Sequence, residues 1–336
     1  MAGRGSEQER RSNRRRRWTR GLLIAAIGAL LFEAGLHAIL GNFAQSHLLQ
    51  RADDPDVCLE LRPGADIEYT GWLLRVPPTR MRVNSLGGRG AEVPDKTPGR
   101  LRIATFGDSF TFGQGVEEDE SWPAAMGAAL GERGVDVEVL NFGVPGHGTP
   151  QSVAHALRVA PRVDPDVVLV GVFTNDLSPQ DSYCGYGGGD STLGRFLLQR
   201  VYTTRLLWVL TGPLRGGPPV PEGAAPPAER FLDALERLHA RGTTDGYRTA
   251  AVLLSDRSAY AAQPWCDGCT PPHDLLADHD VAVVDVSSAW PVLVDHEDRY
   301  FIRGEEHLTA AGNRILGRAV AEAMVEVLAL GPAPPP

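Results

Sequence analysis

The fold class is decided by the stretch Leu101-Arg102-Ile103-Ala104-Thr105-Phe106-Gly107-Asp108-Ser109-Phe110. Its first part is short and largely apolar, and the run into Gly-Asp-Ser is typical of a buried strand that ends in a tight turn. A serine at the carboxyl end of a parallel strand lies where α/β sheets open their crevice, so Ser109 is a candidate nucleophile. Asp-Ser is also ordinary turn chemistry, so the motif needs support from elsewhere in the chain.

Three further blocks follow in order along the chain. A strand-like run at 135–140 leads into a glycine-rich loop that contains Gly146, and Thr149 is expected to cap the next helix ahead of a proline. A long apolar run at 166–174 ends in Asn175. Near the end of the chain, His307 stands just before a capped helix. These blocks bring together the residue types that acyl-group chemistry needs.

Ser109, Gly146, Asn175 and His307, in this order and spacing, resemble the four blocks of the SGNH (GDSL) hydrolase family. The resemblance covers roughly residues 99–330. It implies a flavodoxin-like three-layer α/β/α fold with a five-stranded parallel sheet. It also implies an oxyanion hole formed by the backbone N–H groups of Ser109 and Gly146 and by the side-chain amide of Asn175.

The chemistry of each residue supports that assignment. A neutral serine hydroxyl is a poor nucleophile and needs a base within hydrogen-bond reach, and His307 can accept a proton near neutral pH. A carboxylate normally orients such a histidine. The family carries an aspartate three residues before the histidine, where this chain has Gly304. Glu305 is the favoured substitute, with Asp298 or a Ser–His dyad held by a backbone carbonyl as alternatives.

Alternating strands and helices predict a parallel sheet covered on both faces. The predicted strands are Leu101–Phe106, Val135–Leu140, Val167–Val172, Thr249–Leu254 and Val281–Val286, and the predicted helices lie near Ser121–Arg133, Pro150–Ala160, Ala228–Arg241 and Thr309–Leu328.

The amino-terminal region has the pattern of a membrane anchor. Residues 1–20 form a basic tail with eight Arg and two Glu, whereas the rest of the chain carries a formal charge of −15. The apolar segment at 21–42 is long enough to span a bilayer, and its arginine-rich flank predicts a cytoplasmic amino terminus with an extracytoplasmic body. A cleaved signal peptide is the main alternative. Glu33 and His37 lie one helical turn apart within the segment, near its outer end or paired with each other.

Two segments are additional to the expected domain. Residues 43–98 form a lead-in that either packs as short strands against the domain or spaces it from the membrane. Residues 177–227 interrupt the domain directly after Asn175 and carry an apolar stripe at helical spacing. That stripe is expected to pack on the core, and a lid or a lipid-binding surface is the alternative.

The four cysteines, Cys58, Cys184, Cys266 and Cys269, are expected to form disulfides in an extracytoplasmic domain. Cys266 and Cys269 with His273 form only a weak zinc pattern, because a fourth ligand is not evident. The mechanism requires no metal or organic cofactor. His147, between two glycines, is interpreted as a solvated loop histidine, with a place in the pocket wall as the alternative.

These observations favour a serine esterase or O-deacylase, in particular a deacetylase, acting on an extracytoplasmic carbohydrate ester. The first alternative is an O-acyltransferase that modifies a cell-surface polysaccharide with a multi-pass membrane partner. The second is a glycan-binding protein without activity. An acidic body behind a basic tail does not indicate a nucleic-acid enzyme.

Overall fold

A computed structural model gives the architecture of the chain. It describes residues 3–40, 48–71, 76–178, 201, 203–204, 207, 223–255, 259, 270–303 and 306–328. Most of the 177–227 insertion lies outside these residues, as do Glu305, Cys184, Cys266 and Cys269, so the predictions on them are not addressed by the structure. Cys58 is disulfide-bonded.

The chain begins with the long helix α1, Gly3–Leu40. Within Ser12–Leu36, a window of 18 residues has a mean hydropathy of 1.6 and is not buried by the rest of the chain, so the helix is apolar and long enough there to cross a membrane. Glu33 Oε2 accepts hydrogen bonds from the Thr203 backbone N–H at 3.0 Å and from Thr203 Oγ1 at 2.6 Å. The helix therefore contacts the insertion that follows Asn175. The side chain of His37 lies outside the described part of the chain.

The lead-in folds into two antiparallel hairpins. Strand β1, Leu49–Arg51, pairs with β2, Leu59–Leu61, and β3, Asp66–Gly71, pairs with β4, Val76–Arg82. Leu61 and Met81 are buried in a cluster with Phe112 and Val144 of the following domain. The lead-in thus packs against the domain, which is the first of the two arrangements that the sequence left open.

The central sheet has five parallel strands. They are β5, Leu101–Phe106; β6, Val137–Asn141; β7, Val167–Val172; β8, Arg248–Leu253; and β9, Ala282–Asp285. Their order is β6-β5-β7-β8-β9, which is the flavodoxin-like order with its switch point between β5 and β7. The predicted fold class is confirmed, and the predicted bounds of β5 and β7 match those observed.

The described helices after α1 flank this sheet or carry its loops. They are α2, Ser109–Phe112; α3, Trp122–Glu132; α4, Thr149–Val163; α5, Pro227–Asp245; α6, Pro272–Leu275; α7, Trp290–Val294; α8, Glu297–Tyr300; and α9, Ala310–Val327.

Each face of the sheet has its own apolar core. Trp122 of α3 and Leu316 of α9 are fully buried on one face, and Val153 of α4 and Phe231 of α5 are buried on the other. A Cβ at Gly317 of α9 would lie 2.6 Å from the Trp122 carbonyl oxygen of α3, so only glycine permits these helices to approach so closely. The helices packed on the two faces hold the sheet in place, and the sheet in turn positions the loops at its carboxyl edge.

Candidate active site

Ser109 occupies a sharp turn between β5 and α2. Gly107 has φ of 151°, and a Cβ there would lie 2.2 Å from Thr111 Oγ1, so the turn requires glycine. The carboxylate of Asp108 accepts a hydrogen bond from the Phe110 backbone N–H at 2.9 Å and caps the short helix. The strand end, glycine and cap together place Ser109 in the first turn of α2, at the carboxyl edge of the sheet.

His307 reaches Ser109 from a distant part of the chain. Its Nε2 lies 2.8 Å from Ser109 Oγ. The Ile302 N–H donates to the His307 carbonyl at 2.8 Å. The imidazole packs against Phe110, with ring centroids 5.1 Å apart. The nucleophile and base candidates are therefore within proton-transfer distance.

Two further predicted residues lie at the same edge of the sheet. Gly146 has φ of 86° and lies in the loop between β6 and α4, and Asn175 lies in the 3-10 turn Thr174–Leu177 after β7. Within the described chain, the amide of Asn175 makes no side-chain hydrogen bond, and its buried Oδ1 has no partner. Because β6, β5 and β7 are adjacent parallel strands, the loops that follow them lie side by side at the carboxyl edge that carries Ser109.

A buried polar contact joins the Gly146 loop to the Asn175 turn. Thr149 Oγ1 donates to Asp176 Oδ2 at 2.7 Å, and both residues are at most 1% exposed. The expectation that Thr149 caps α4 is wrong, because Gly148 is the N-cap and the threonine hydroxyl is bound to Asp176. The sequence did not predict this pair, although Asp176 directly follows Asn175.

His147 is buried rather than solvated, so that interpretation is also wrong. Its side chain is 1% exposed, and its Nε2 lies 2.7 Å from the carbonyl oxygen of Leu59 in β2. Burial lowers the pKa of His147 to about 4 and lowers the pKa of its neighbour His155 as well. The residue after Gly146 is therefore a neutral histidine at pH 7, and it joins the Gly146 loop to the lead-in.

The orienting acid stays a prediction. Glu305 lies outside the described residues, and Asp298 is an exposed residue of α8.

Across the described chain, no three His, Cys, Asp or Glu side chains form a metal-binding group. His273 lies 3.4 Å from Asp285 Oδ2, at the end of β9.

The sheet is parallel and in flavodoxin-like order, and a Ser–His pair lies at its switch point. These features are typical of α/β proteins that use a serine as a nucleophile. Residues 105–315 match the GDSL-like Lipase/Acylhydrolase family, and the chain belongs to that family. The match covers all four blocks, so the predicted family is confirmed.

The individual proteins that this chain resembles either match only a short stretch of it or share less than 20% sequence identity with it. A stretch of 75 residues is 32% identical to an arylesterase from Vibrio mimicus, covering 22% of this chain and 38% of that protein. An α/β hydrolase from the metagenome of Lake Arreo, Spain, is similar over 66% of this chain and 94% of its own, at 16% identity and a TM-score of 0.43. An acetylxylan esterase from Geobacillus stearothermophilus is similar over 67% and 94%, at 13% identity and a TM-score of 0.42.

Proposed function

We propose that this protein is a serine ester hydrolase that works through an acyl-enzyme on Ser109. The observation that carries the proposal is the 2.8 Å contact between Ser109 Oγ and His307 Nε2 at the carboxyl edge of the sheet. Membership of an acylhydrolase family supports the same reaction class. An isolated surface serine would lack both the base and the adjoining donors that acyl transfer needs.

The reaction proceeds in two halves. Ser109 Oγ attacks the ester carbonyl carbon while His307 Nε2 accepts its proton, and the carbonyl oxygen becomes an oxyanion stabilised by the N–H groups of Ser109 and Gly146 and by the Asn175 amide. The C–O bond to the alcohol then breaks, and His307 returns the proton to the leaving oxygen. In the second half His307 takes a proton from water, whose oxygen attacks the acyl carbon. The bond between that carbon and Ser109 Oγ then breaks, and His307 returns the proton to Ser109 Oγ as the acid leaves.

The substrate is proposed to lie outside the cytoplasm. The apolar segment of α1 leaves Leu22, Leu30 and Leu31 between 66% and 70% exposed, as a lipid-facing helix would. Its arginine-rich amino-terminal flank favours a cytoplasmic amino terminus, which puts the sheet domain on the other side of the membrane. A short acyl group, acetyl above all, on a carbohydrate hydroxyl is the ester class we propose.

The test is hydrolysis of p-nitrophenyl acetate by the full chain in detergent, beside Ser109→Ala, His307→Ala and Glu305→Ala. Hydrolysis that depends on Ser109 and His307 is expected, and a large loss with Glu305→Ala would identify the acid. A folded wild-type protein without serine-dependent hydrolysis would contradict the proposal. Acetylated oligosaccharides as donors then separate free acetate, the hydrolase product, from an acetylated acceptor, the transferase product.

A further inference from the structure

The lead-in contributes a buried arginine that lies against the nucleophile turn. Arg89 is 4% exposed, and its guanidinium lies 4.6 Å above the ring of Phe112. Its Nη1 donates to the carbonyl oxygens of Phe112 and Gly113 at 2.5 and 2.6 Å, and its Nη2 donates to that of Val116. One side chain therefore binds three backbone carbonyls, at the last residue of α2 and in the loop just after it.

These carbonyls belong to the loop that closes the turn of Ser109. Helix α2 has only four residues, so most of its carbonyl groups lack partners within the helix. The Ser109 carbonyl accepts from the N–H groups of Gly113 and Gln114, each at 3.0 Å. The backbone of Ser109 is thus bound directly by the loop that Arg89 holds.

The backbone of Arg89 is attached to the oxyanion side of the site. Its N–H donates to the Asn141 carbonyl at 2.7 Å, at the end of β6. The side chain of Asn141 donates to the Thr111 carbonyl at 2.8 Å and accepts from the Gly143 N–H at 2.9 Å, where the loop to Gly146 begins. Arg89 therefore links the strand end that starts the oxyanion loop to the loop that follows the nucleophile.

An arginine is suited to this position for a physical reason. Burial lowers the pKa of Arg89 to about 10, while Glu118 and its neighbours oppose that shift, so the group remains a cation at neutral pH. Both Nη groups of this buried cation donate to backbone carbonyls, whereas its Nε has no hydrogen-bond partner among the described residues, and the planar guanidinium directs several donors at once. A lysine ammonium is a point donor and cannot reach three carbonyls in this geometry.

We infer that Arg89 is a positioning residue for Ser109, and that the lead-in completes the active site rather than only spacing it from the membrane. The inference rests on the proposed role of Ser109 as nucleophile. Arg89 acts through the 112–116 loop and makes no contact with the reacting atoms. Its loss would shift the serine relative to His307 and to the oxyanion donors.

Arg102 provides a matched control at the opposite end of β5. It is 3% exposed, it donates from Nη1 to the Val163 carbonyl and from Nη2 to the Pro94 carbonyl, both at 2.8 Å, and its Nε pairs with Glu138 at 2.6 Å. Like Arg89 it joins the lead-in region to the sheet domain. It lies at the amino-terminal edge of the sheet, away from Ser109.

The first experiment compares Arg89→Lys with Arg102→Lys in the full chain. We expect Arg89→Lys to lower kcat for p-nitrophenyl acetate about 10- to 100-fold with KM within about threefold, since small displacements of reacting groups cost rates of this size. Arg102→Lys should lower the melting temperature while kcat stays within about twofold. Equal effects of the two variants on kcat, at matched folded fractions, would overturn the inference.

A second measurement does not depend on activity. In hydrogen exchange of the wild-type protein, the amides of Gly113 and Gln114 should be protected as strongly as those of β5, and Arg89→Lys should deprotect them selectively. Rapid local exchange there in the wild type would overturn the inference, even if Arg89→Lys does not fold. A wild type that hydrolyses no ester but shows the selective deprotection would refute the proposed function and leave the positioning contact standing.

Discussion

The two members of the Ser109–His307 pair are held in different ways. Ser109 is the first residue of α2, in a turn fixed by Gly107, by the Asp108 cap and by a partly buried hydrogen bond from Asn141. The His307 carbonyl accepts from the Ile302 N–H, the Thr309 N–H donates to the Tyr300 carbonyl, and the imidazole packs on Phe110. The candidate nucleophile therefore directly follows a strand of the central sheet, whereas the candidate base lies in the connection before α9. Substitutions at His307 should therefore lower the rate of hydrolysis with little effect on stability, whereas substitutions near Ser109 should affect both.

The largest effect is expected on the base side. His307→Ala removes the proton acceptor and should lower kcat/KM for p-nitrophenyl acetate about 10³-fold or more. Because His307 is half-buried on a loop, the free energy of unfolding should change by less than about 1 kcal/mol. Kinetics and urea unfolding on the same preparation check both parts, and a large loss of stability would contradict the contrast.

The oxyanion donor gives the next largest effect. Asn175→Ala should lower kcat about 10²- to 10³-fold with little change in KM, since an oxyanion donor acts mainly in the transition state. Removing the buried, unpartnered Oδ1 should leave stability unchanged or slightly higher. A rise in KM at constant kcat would instead assign Asn175 to substrate binding.

The Thr149–Asp176 contact should couple rate and stability. Thr149→Val leaves the buried Asp176 carboxylate short of one donor, and we expect a cost of about 1–3 kcal/mol in unfolding free energy together with about a tenfold lower kcat. Thr105→Val is the matched control, because Thr105 is equally buried and donates to the Leu140 carbonyl at 3.2 Å inside the sheet. Thr105→Val should lower the unfolding free energy without changing kcat. A tenfold loss of kcat in this variant would show that the effect of Thr149→Val is not specific to the contact with Asp176.

His147 should affect stability through pH. Its pKa of about 4 in the folded state lies below the ordinary value near 6.5, so between these values the unfolded chain binds a proton that the folded protein does not. The unfolding free energy should therefore fall as pH drops, by about 2 kcal/mol from this residue between pH 7 and pH 5. Urea unfolding at both pH values, compared with His147→Gln, isolates the contribution, and an unchanged pH dependence in the variant would refute it.

The sheet and the turn that carries Ser109 were predictable from the sequence because their signals are local. Strands β5 and β7 are short apolar runs that stop at Gly107 and near Asn175. Such runs are typical of strands that are buried on both faces of a parallel sheet. The family resemblance then supplied the roles of Gly146 and His307.

The supporting contacts were not predictable because they join residues far apart in the chain. His147 meets Leu59 across 88 residues, and Arg89 meets Val116 across 27. An arginine or a histidine flanked by glycines has the local pattern of an exposed loop residue, and only the tertiary fold buries it. The same applies to Thr149, whose hydroxyl binds Asp176 instead of capping its own helix.

The most direct test of the central claim is labelling by a fluorophosphonate, which reacts preferentially with an activated serine. Peptide mass spectrometry of the full chain should place a single adduct on Ser109, with labelling slowed at least 10²-fold in His307→Ala and absent in Ser109→Ala. An adduct on another residue, or none on a folded wild-type protein, would contradict the assignment of Ser109 and His307 as nucleophile and base.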